Sequence, residues 1–232
     1  MIRVRKLVKT FGLKPVLRGM DFAVERGEFV AILGPNGAGK TTFLRILATL
    51  SRPNMGEVLV AGWRLPTQAT EVRHLIGVVS HQPLLYGDLT AEENLRFYSR
   101  MYGVEDLEAR VDEVLDIVDL SARRRELVRK FSRGMQQRLT IARAILHAPE
   151  LLLFDEPHTG LDQDAAAMLD EVLREVAGRG HTVVMTSHDL PRAVNLATRV
   201  DILSKGKIAA SVLKGKVPPE EMPALYRSVT HD

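Results

Sequence analysis

Apolar residues recur along this chain in two rhythms. IRVRKLV (2–8) alternates, MDFAVE (20–25) does the same more loosely, and FVAIL (29–33) is continuous, as expected of a strand covered on both faces. In TTFLRILATL (41–50) the spacing changes: Phe43, Leu44, Leu47 and Leu50 share one helical face, and the pattern stops before Pro53. GEVLVA (56–61) and IGVVS (76–80) return to strand character. From Thr90, which stands three residues ahead of Glu93 as in a capping box, helical spacing runs through TAEENLRFYSRMYG, EARVDEVLDIVDL and GMQQRLTIARAIL. Residues 90–147 are therefore expected to form a mostly helical insertion. Afterwards the alternation resumes with strand ELLLFDE, helix DAAAMLDEVLREVA, strand HTVVMTS, helix DLPRAVNLAT and strand RVDILS. This order predicts an α/β class with a parallel open sheet and crossover helices. GKIAASVL follows, and beyond Pro218 and Pro219 only a short charged tail is expected.

The first strand-to-helix junction carries chemistry. GPNGAGKT comprises Gly34, Pro35, Asn36, Gly37, Ala38, Gly39, Lys40 and Thr41, with Thr42 next, and fits G-x-x-x-x-G-K-[ST] completely. Glycines let successive backbone N–H groups turn toward phosphate oxygens, and the helix behind presents its N-terminus to the same charge. Lys40 can reach the β and γ phosphates, and the Thr41 hydroxyl can ligate Mg²⁺. A dinucleotide fingerprint fails, because Thr42 stands where its third glycine should be. LLLFDE (151–156) is an apolar strand ending in two carboxylates, at the end where open α/β sheets bind ligands. Asp155 is the candidate to hold Mg²⁺ and Glu156 the candidate general base that polarises the attacking water.

Composition narrows the field without redirecting it. The 232 residues, 45% hydrophobic, suffice for one compact unit, and a formal charge of +3 does not argue for nucleic acid. The chain has no cysteine, so thiolate metal sites, disulfides and a cysteine nucleophile are excluded. The N-terminus builds no signal-peptide core, and no apolar run approaches the ~18 residues of a membrane span. A membrane role is thus expected to come through a partner. The basic stretch 123–130 with Arg133 lacks interleaved aromatics and reads as a solvated helical face, so no nucleic-acid partner is expected. His74, His81, His147, His158, His181 and His231 show no metal-ligand spacing and receive no chemistry.

With these motifs in this order, the chain resembles an ATP-binding cassette (ABC) ATPase along essentially its whole length. The resemblance implies a P-loop fold of the ABC type over residues 1–232: a mostly parallel core with an antiparallel β subdomain (1–89 and 148–232) and an inserted helical subdomain (90–147). Gln82 in SHQP resembles the glutamine that senses Mg²⁺ and couples to the membrane partner, although a residue before proline also suits a plain turn. His188 in TSHD resembles the switch histidine on the γ phosphate, its alternative being a helix cap. Phe11 sits where the family stacks an aromatic on adenine, and a core role is the alternative. SRGMQQ resembles the signature loop and GLD (160–162) the loop that crosses the dimer interface. Two cassettes, in a homodimer or heterodimer, would then face head to tail, each ATP touching Ser132, Gly134, Gln136 and Asp162 of the opposite chain.

The usual signature, Leu-Ser-Gly-Gly-Gln, here reads Phe131, Ser132, Arg133, Gly134 and Met135. Arg133 admits two readings, an outward charge at the interface or an extra cation near the opposite γ phosphate; the space that a glycine normally leaves there favours the first. Leu84, Leu85 and Tyr86 are apolar residues in an expected loop, and the family implies that the surface from Gln82 to Glu93 docks the cytoplasmic helices of a transmembrane permease; a satellite core is the alternative. The implied place is peripheral, on the cytoplasmic face of the inner membrane. ILATLSRP, GVVSHQPLLYGDLTAEENLRFY and FSRGMQQRLTIARAIL look most like the ATPase of the heme exporter of cytochrome c maturation, with drug or lipid-linked glycan exporters as the alternative. Carbohydrate-importer ATPases resemble this chain plus an added C-terminal domain, so that branch is not the one expected. A soluble cassette acting on DNA or ribosomes would be expected to carry two cassettes or a long coiled-coil insertion.

Overall fold

The computed structural model describes residues 1–80 and 82–230; His81 and His231 lie outside them. The chain runs β1 (Ile2–Phe11), β2 (Lys14–Val24), β3 (Phe29–Leu33), α1 (Lys40–Leu47), β4 (Met55–Val60), β5 (Trp63–Leu65), α2 (Ala69–Leu75) and β6 (Ile76–Val79). The helical stretch follows as α3 (Ala91–Tyr102), α4 (Leu107–Ile117) and α5 (Arg133–Ile145). Then come β7 (Leu151–Asp155), α6 (Gln163–Gly178), β8 (Thr182–Ser187), α7 (Leu190–Leu196), β9 (Arg199–Ser204), β10 (Lys207–Leu213) and α8 (Met222–Thr230).

Two sheets result. One has the order β10-β9-β3-β8-β7-β6 and is parallel except for β10, which pairs antiparallel with β9. The other, β2-β1-β4-β5, is antiparallel throughout. The continuous apolar run of β3 has a simple cause: its residues alternate between two cores. Val30 and Ile32 join Met20, Phe43, Leu47 and Val58 in a cluster shared by α1 and the antiparallel sheet. Phe29, Ala31 and Leu33 join Leu139, Ile141 and Leu169 on the helical side. β7 divides likewise, with Leu151 and Leu153 in the first cluster and Leu152 and Phe154 in the second. Leu95, Val111 and Leu115 of α3 and α4 belong to that same helical-side cluster, so the helices after Thr90 continue the core of the sheet.

The helix starts follow their caps. Thr90 accepts from the Glu93 backbone N–H while Glu93 returns a bond to Thr90, completing the capping box, and α3 ends at Gly103 with φ +66°. Three short elements escape the periodicity. β5 has three residues, α2 buries only Val72, and the expected tail forms α8, which buries only Met222. Pro223 is tolerated there because it falls in the first turn, where its missing N–H has no helical partner to lose.

Gly77 of β6 shows how closely α5 lies on the sheet. A Cβ there would overlap the Ala144 carbonyl oxygen and come within 2.7 Å of Leu152 Cδ2. Gly77→Ala is expected to cost about 1–3 kcal/mol through overpacking. At roughly 2–4 °C per kcal/mol for a chain of this size, the loss is visible in a thermal melt. An unchanged midpoint would show that α5 can lift from β6 at little cost.

Candidate functional site

β3 ends at Leu33 and hands the chain to a loop in which Gly37 and Gly39 have φ of +82° and +110°. Gly39 has a second reason to lack a side chain, since a Cβ would approach Leu17 Cδ2 to 2.8 Å. α1 then starts with no acidic residue in its first turn, leaving its N-terminal N–H groups to an anion. Lys40 is buried, only 5% exposed, and its ammonium donates to Gly34 O at 2.7 Å and lies 3.3 Å from Glu156 Oε1. Pro35, Asn36, Gly37, Gly39, Lys40, Thr41 and Thr42 line one cleft of about 370 Å³, together with Phe11 and Glu156. Ala38 turns away into the apolar core beside α1. Phe11 is 54% exposed at this cleft, with Lys9 Nζ 4.9 Å from its ring centroid, so it is a surface aromatic rather than a core one.

The carboxylates arrive from β7. Asp155 Oδ1 accepts from the Thr41 hydroxyl at 3.1 Å and from the Thr186 hydroxyl at 2.7 Å. Thr41 and Asp155 thus converge as hard oxygen donors, a set that fits Mg²⁺, an ion that commonly takes one or two carboxylates and leaves its remaining positions to phosphate and water. Glu156 has φ +51°, a left-handed conformation unusual for a side chain of its size. Its backbone N–H is held by the carbonyl (3.2 Å) and hydroxyl (3.0 Å) oxygens of Thr186. Its carboxylate bonds His188 Nδ1 and accepts from Thr159 at 3.3 Å. Burial pushes the Glu156 pKa up, but the hydrogen bond from His188 and the charge of Lys40 outweigh it and hold the group below the usual carboxylate range. Glu156 is therefore an anion at neutral pH. The cap of α7 is Asp189, not His188, which leaves the imidazole exposed beside Glu156.

The other expected residues make no hydrogen bond to Thr41, Asp155 or Glu156 among the described residues, although Gln136 and Asp162 each share a cleft with Glu156. Gln82 is exposed, its carbonyl accepting from the Ser80 hydroxyl at 2.9 Å, and no contact joins it to Thr41 or Asp155 among the described residues. Ser132 is exposed and caps α5, accepting from Met135 N–H at 3.2 Å. Phe131 is core. Gly134 is buried, and a Cβ on it would meet Ala165 Cβ at 2.8 Å, so its small size lets α5 sit on α6. Gln136 turns to its own chain, donating to Phe131 O at 3.3 Å and lining a cleft with Glu156. Asp162 caps α6 through Ala165 N–H at 2.8 Å. Arg133 is exposed, yet its guanidinium folds back over Gly160, where a Cβ would stand 2.5 Å from Cζ. Between the two readings of Arg133 there is thus a third arrangement, a contact with the GLD loop of its own chain.

The loop after Gln82 is fastened from beneath by buried Asn94, which donates to Tyr86 O at 3.0 Å and accepts from Tyr86 N–H at 2.8 Å. Leu85 packs on the core while Leu84 and Tyr86 stay exposed, Tyr86 meeting the exposed Phe97 ring of α3 edge-on with centroids 5.1 Å apart. Two groups near Glu156 went unrecognised in the sequence. Thr186 faces Asp155 across the parallel β7–β8 pair, a register that strand-end alignment can reveal. His158 contacts Asp170 on a different element, and nothing local signals that contact.

The family model that matches residues 17–159 is that of the ABC transporter. The chain belongs to this family. As an ABC cassette it is 35% identical to the linearmycin resistance ATP-binding protein LnrL of Bacillus subtilis (strain 168), over 90% of this chain and 68% of that one. It is 38% identical to the Nod factor export ATP-binding protein I of Burkholderia orbicola (strain AU 1054), over 89% of this chain and 68% of that one. The cassette thus spans about two thirds of each relative. Among solved structures it resembles the dimeric post-hydrolysis state of the ATP-binding cassette MJ0796 bound to ADP and Pi, with a TM-score of 0.82 and 28% identity over 94% of this chain and all of that one. The fold expected from the sequence, an α/β P-loop cassette, is the fold observed, and the ABC cassette is an ATP hydrolase. No helix among its described residues is long and apolar enough to cross a membrane.

Proposed function

We propose that this cassette is the ATPase subunit of an ABC exporter of the drug or Nod factor kind, held peripherally on the cytoplasmic face of the inner membrane by a transmembrane permease. The observation that carries this reading is the 35–38% identity, along about nine tenths of the chain, to ATP-binding proteins of linearmycin resistance and Nod factor export. Heme export, favoured by the wording of the loops alone, has no such support. The permease is expected on the surface of Leu84, Tyr86 and Phe97 beside Gln82.

In this reading the loop 34–41 and Lys40 bind the triphosphate and Phe11 stacks on the adenine. Thr41 and Asp155, with Gln82 reaching in when the cassettes close, would hold Mg²⁺, which supplies charge neutralisation on the β and γ phosphates when bound. Glu156 takes the proton of the attacking water, and His188 stands beside it to contact the γ phosphate. The test is to capture the permease with the tagged cassette, reconstitute the pair in vesicles, and measure ATP turnover with added cargo. Stimulation by an amphipathic antibiotic but not by heme is expected. Stimulation by heme alone, with a partner from the cytochrome c maturation apparatus, would restore the heme reading.

A further inference from the structure

Beyond the phosphate loop and its carboxylates lies a buried polar group to which no role in hydrolysis has been given. His158 follows Glu156 by two positions. Its Nε2 is 2.8 Å from Asp170 Oδ1 on α6, and both side chains are only 10% exposed. Asp170 Oδ2 accepts from Arg192 Nη1 at 2.5 Å. Arg192 in turn reaches Asp189 Oδ2 at 3.4 Å, while its backbone N–H bonds Asp189 Oδ1 at 3.0 Å. Asp189 is bonded in sequence to His188, whose imidazole contacts the Glu156 carboxylate. The contacts therefore close a ring: Glu156, His158, Asp170, Arg192, Asp189, His188 and back to Glu156.

We propose that His158 is a positioning residue for ATP hydrolysis, tying the loop behind Glu156 to the loop that carries His188 through Asp170 and Arg192. Three physical points support the assignment. First, the two loops wall an open cleft of about 360 Å³ lined by Glu156, Thr159, Asp162, His188 and Arg192, so little packing joins them there, and the path through His158, Asp170 and Arg192 adds a second tie to the direct contact of His188 with Glu156. Second, Glu156 sits in a left-handed conformation, which persists only where its surroundings over-determine it. Thr186 fixes its N–H from one side, and the bond from His158 to α6 fixes the chain just beyond it. Third, the donor and acceptor roles are consistent. Burial pushes the His158 pKa down, so the neutral ring donates from Nε2 to a buried carboxylate that Arg192 also neutralises. Small misplacements of a catalytic base are costly in rate, because proton transfer needs hydrogen-bond reach.

This inference rests on the assignment of Glu156 and His188 to hydrolysis, so the experiment carries a control for that assignment. His158→Leu removes the donor, whereas the terminal amide of His158→Gln can reach Asp170 as Nε2 does. The Leu variant is expected to lose about tenfold in kcat with the ATP KM within about threefold, and the Gln variant to recover most of the rate. Equal rates in the Leu and Gln variants, or a loss confined to KM, would overturn the proposal. If the Leu variant does not fold, His158→Asn takes its place, being polar but too short to reach Asp170; equality with Gln again overturns it. His188→Ala separates the two failures. A His188→Ala variant at wild-type rate would remove the site assignment itself. A slow His188→Ala variant beside a fast His158→Leu variant would remove only the positioning role.

Discussion

Glu156→Gln is expected to bind ATP while losing a factor of about 10²–10⁴ in turnover, the span usual for removing a general base. The substitution is nearly isosteric, so the bond to His188 and the hold of Thr186 on the backbone can survive, but an amide cannot accept the proton of the attacking water. The Lys40 ammonium loses its carboxylate neighbour at 3.3 Å and becomes freer for the phosphates, which argues for ATP affinity that is kept or raised. Phosphate release measures the rate, and a fluorescent nucleotide the binding. Turnover near that of the wild type would remove Glu156 from the role of base. The wild-type carboxylate is held below its usual range, so it stays ionised as pH falls through that range. Loss of the base by protonation therefore begins only at still lower pH.

Parts of this site were legible because they are local. The phosphate loop needs only consecutive residues between a strand and a helix, and LLLFDE declares both its buried strand and the carboxylates at its end. The capping box that opens α3 is equally local, with all its partners between Thr90 and Glu93. What escaped was either very short or joined across the fold. β5 and α2 bury too few residues to leave a periodic trace. Thr186 meets Asp155 only because β7 and β8 pair in parallel, and His158 meets Asp170 only because α6 folds back over the loop that precedes it. The signature region shows both limits. Ser132 as a helix cap follows from its position before α5, whereas the reach of Arg133 over Gly160 and the fit of Gly134 against Ala165 depend on how α5 and α6 pack.

The second large effect concerns Ser132, which is not among the described residues that line the phosphate cleft of its own chain. Its hydroxyl accepts one bond from Met135 N–H and keeps a proton to donate outward, as a group serving the opposite nucleotide in a head-to-tail dimer must. Asp162, also a cap, carries an acceptor-only carboxylate and cannot donate in this way. Ser132→Asp preserves the cap, since aspartate caps as well as serine, but sets a negative charge against the incoming γ phosphate. Alone it is expected to be folded and nearly inactive. Mixed in equal amounts with Glu156→Gln, also nearly inactive, it should recover activity. In a mixed dimer, one site joins the intact Glu156 of the first chain to the intact Ser132 of the second. Random pairing with independent sites predicts about a quarter of the wild-type rate. Unmixed variants at the same total concentration supply the baseline. A mixture no faster than its components would mean that Ser132 does not complete an independent site across the dimer, while recovery would place each hydrolytic site between two chains.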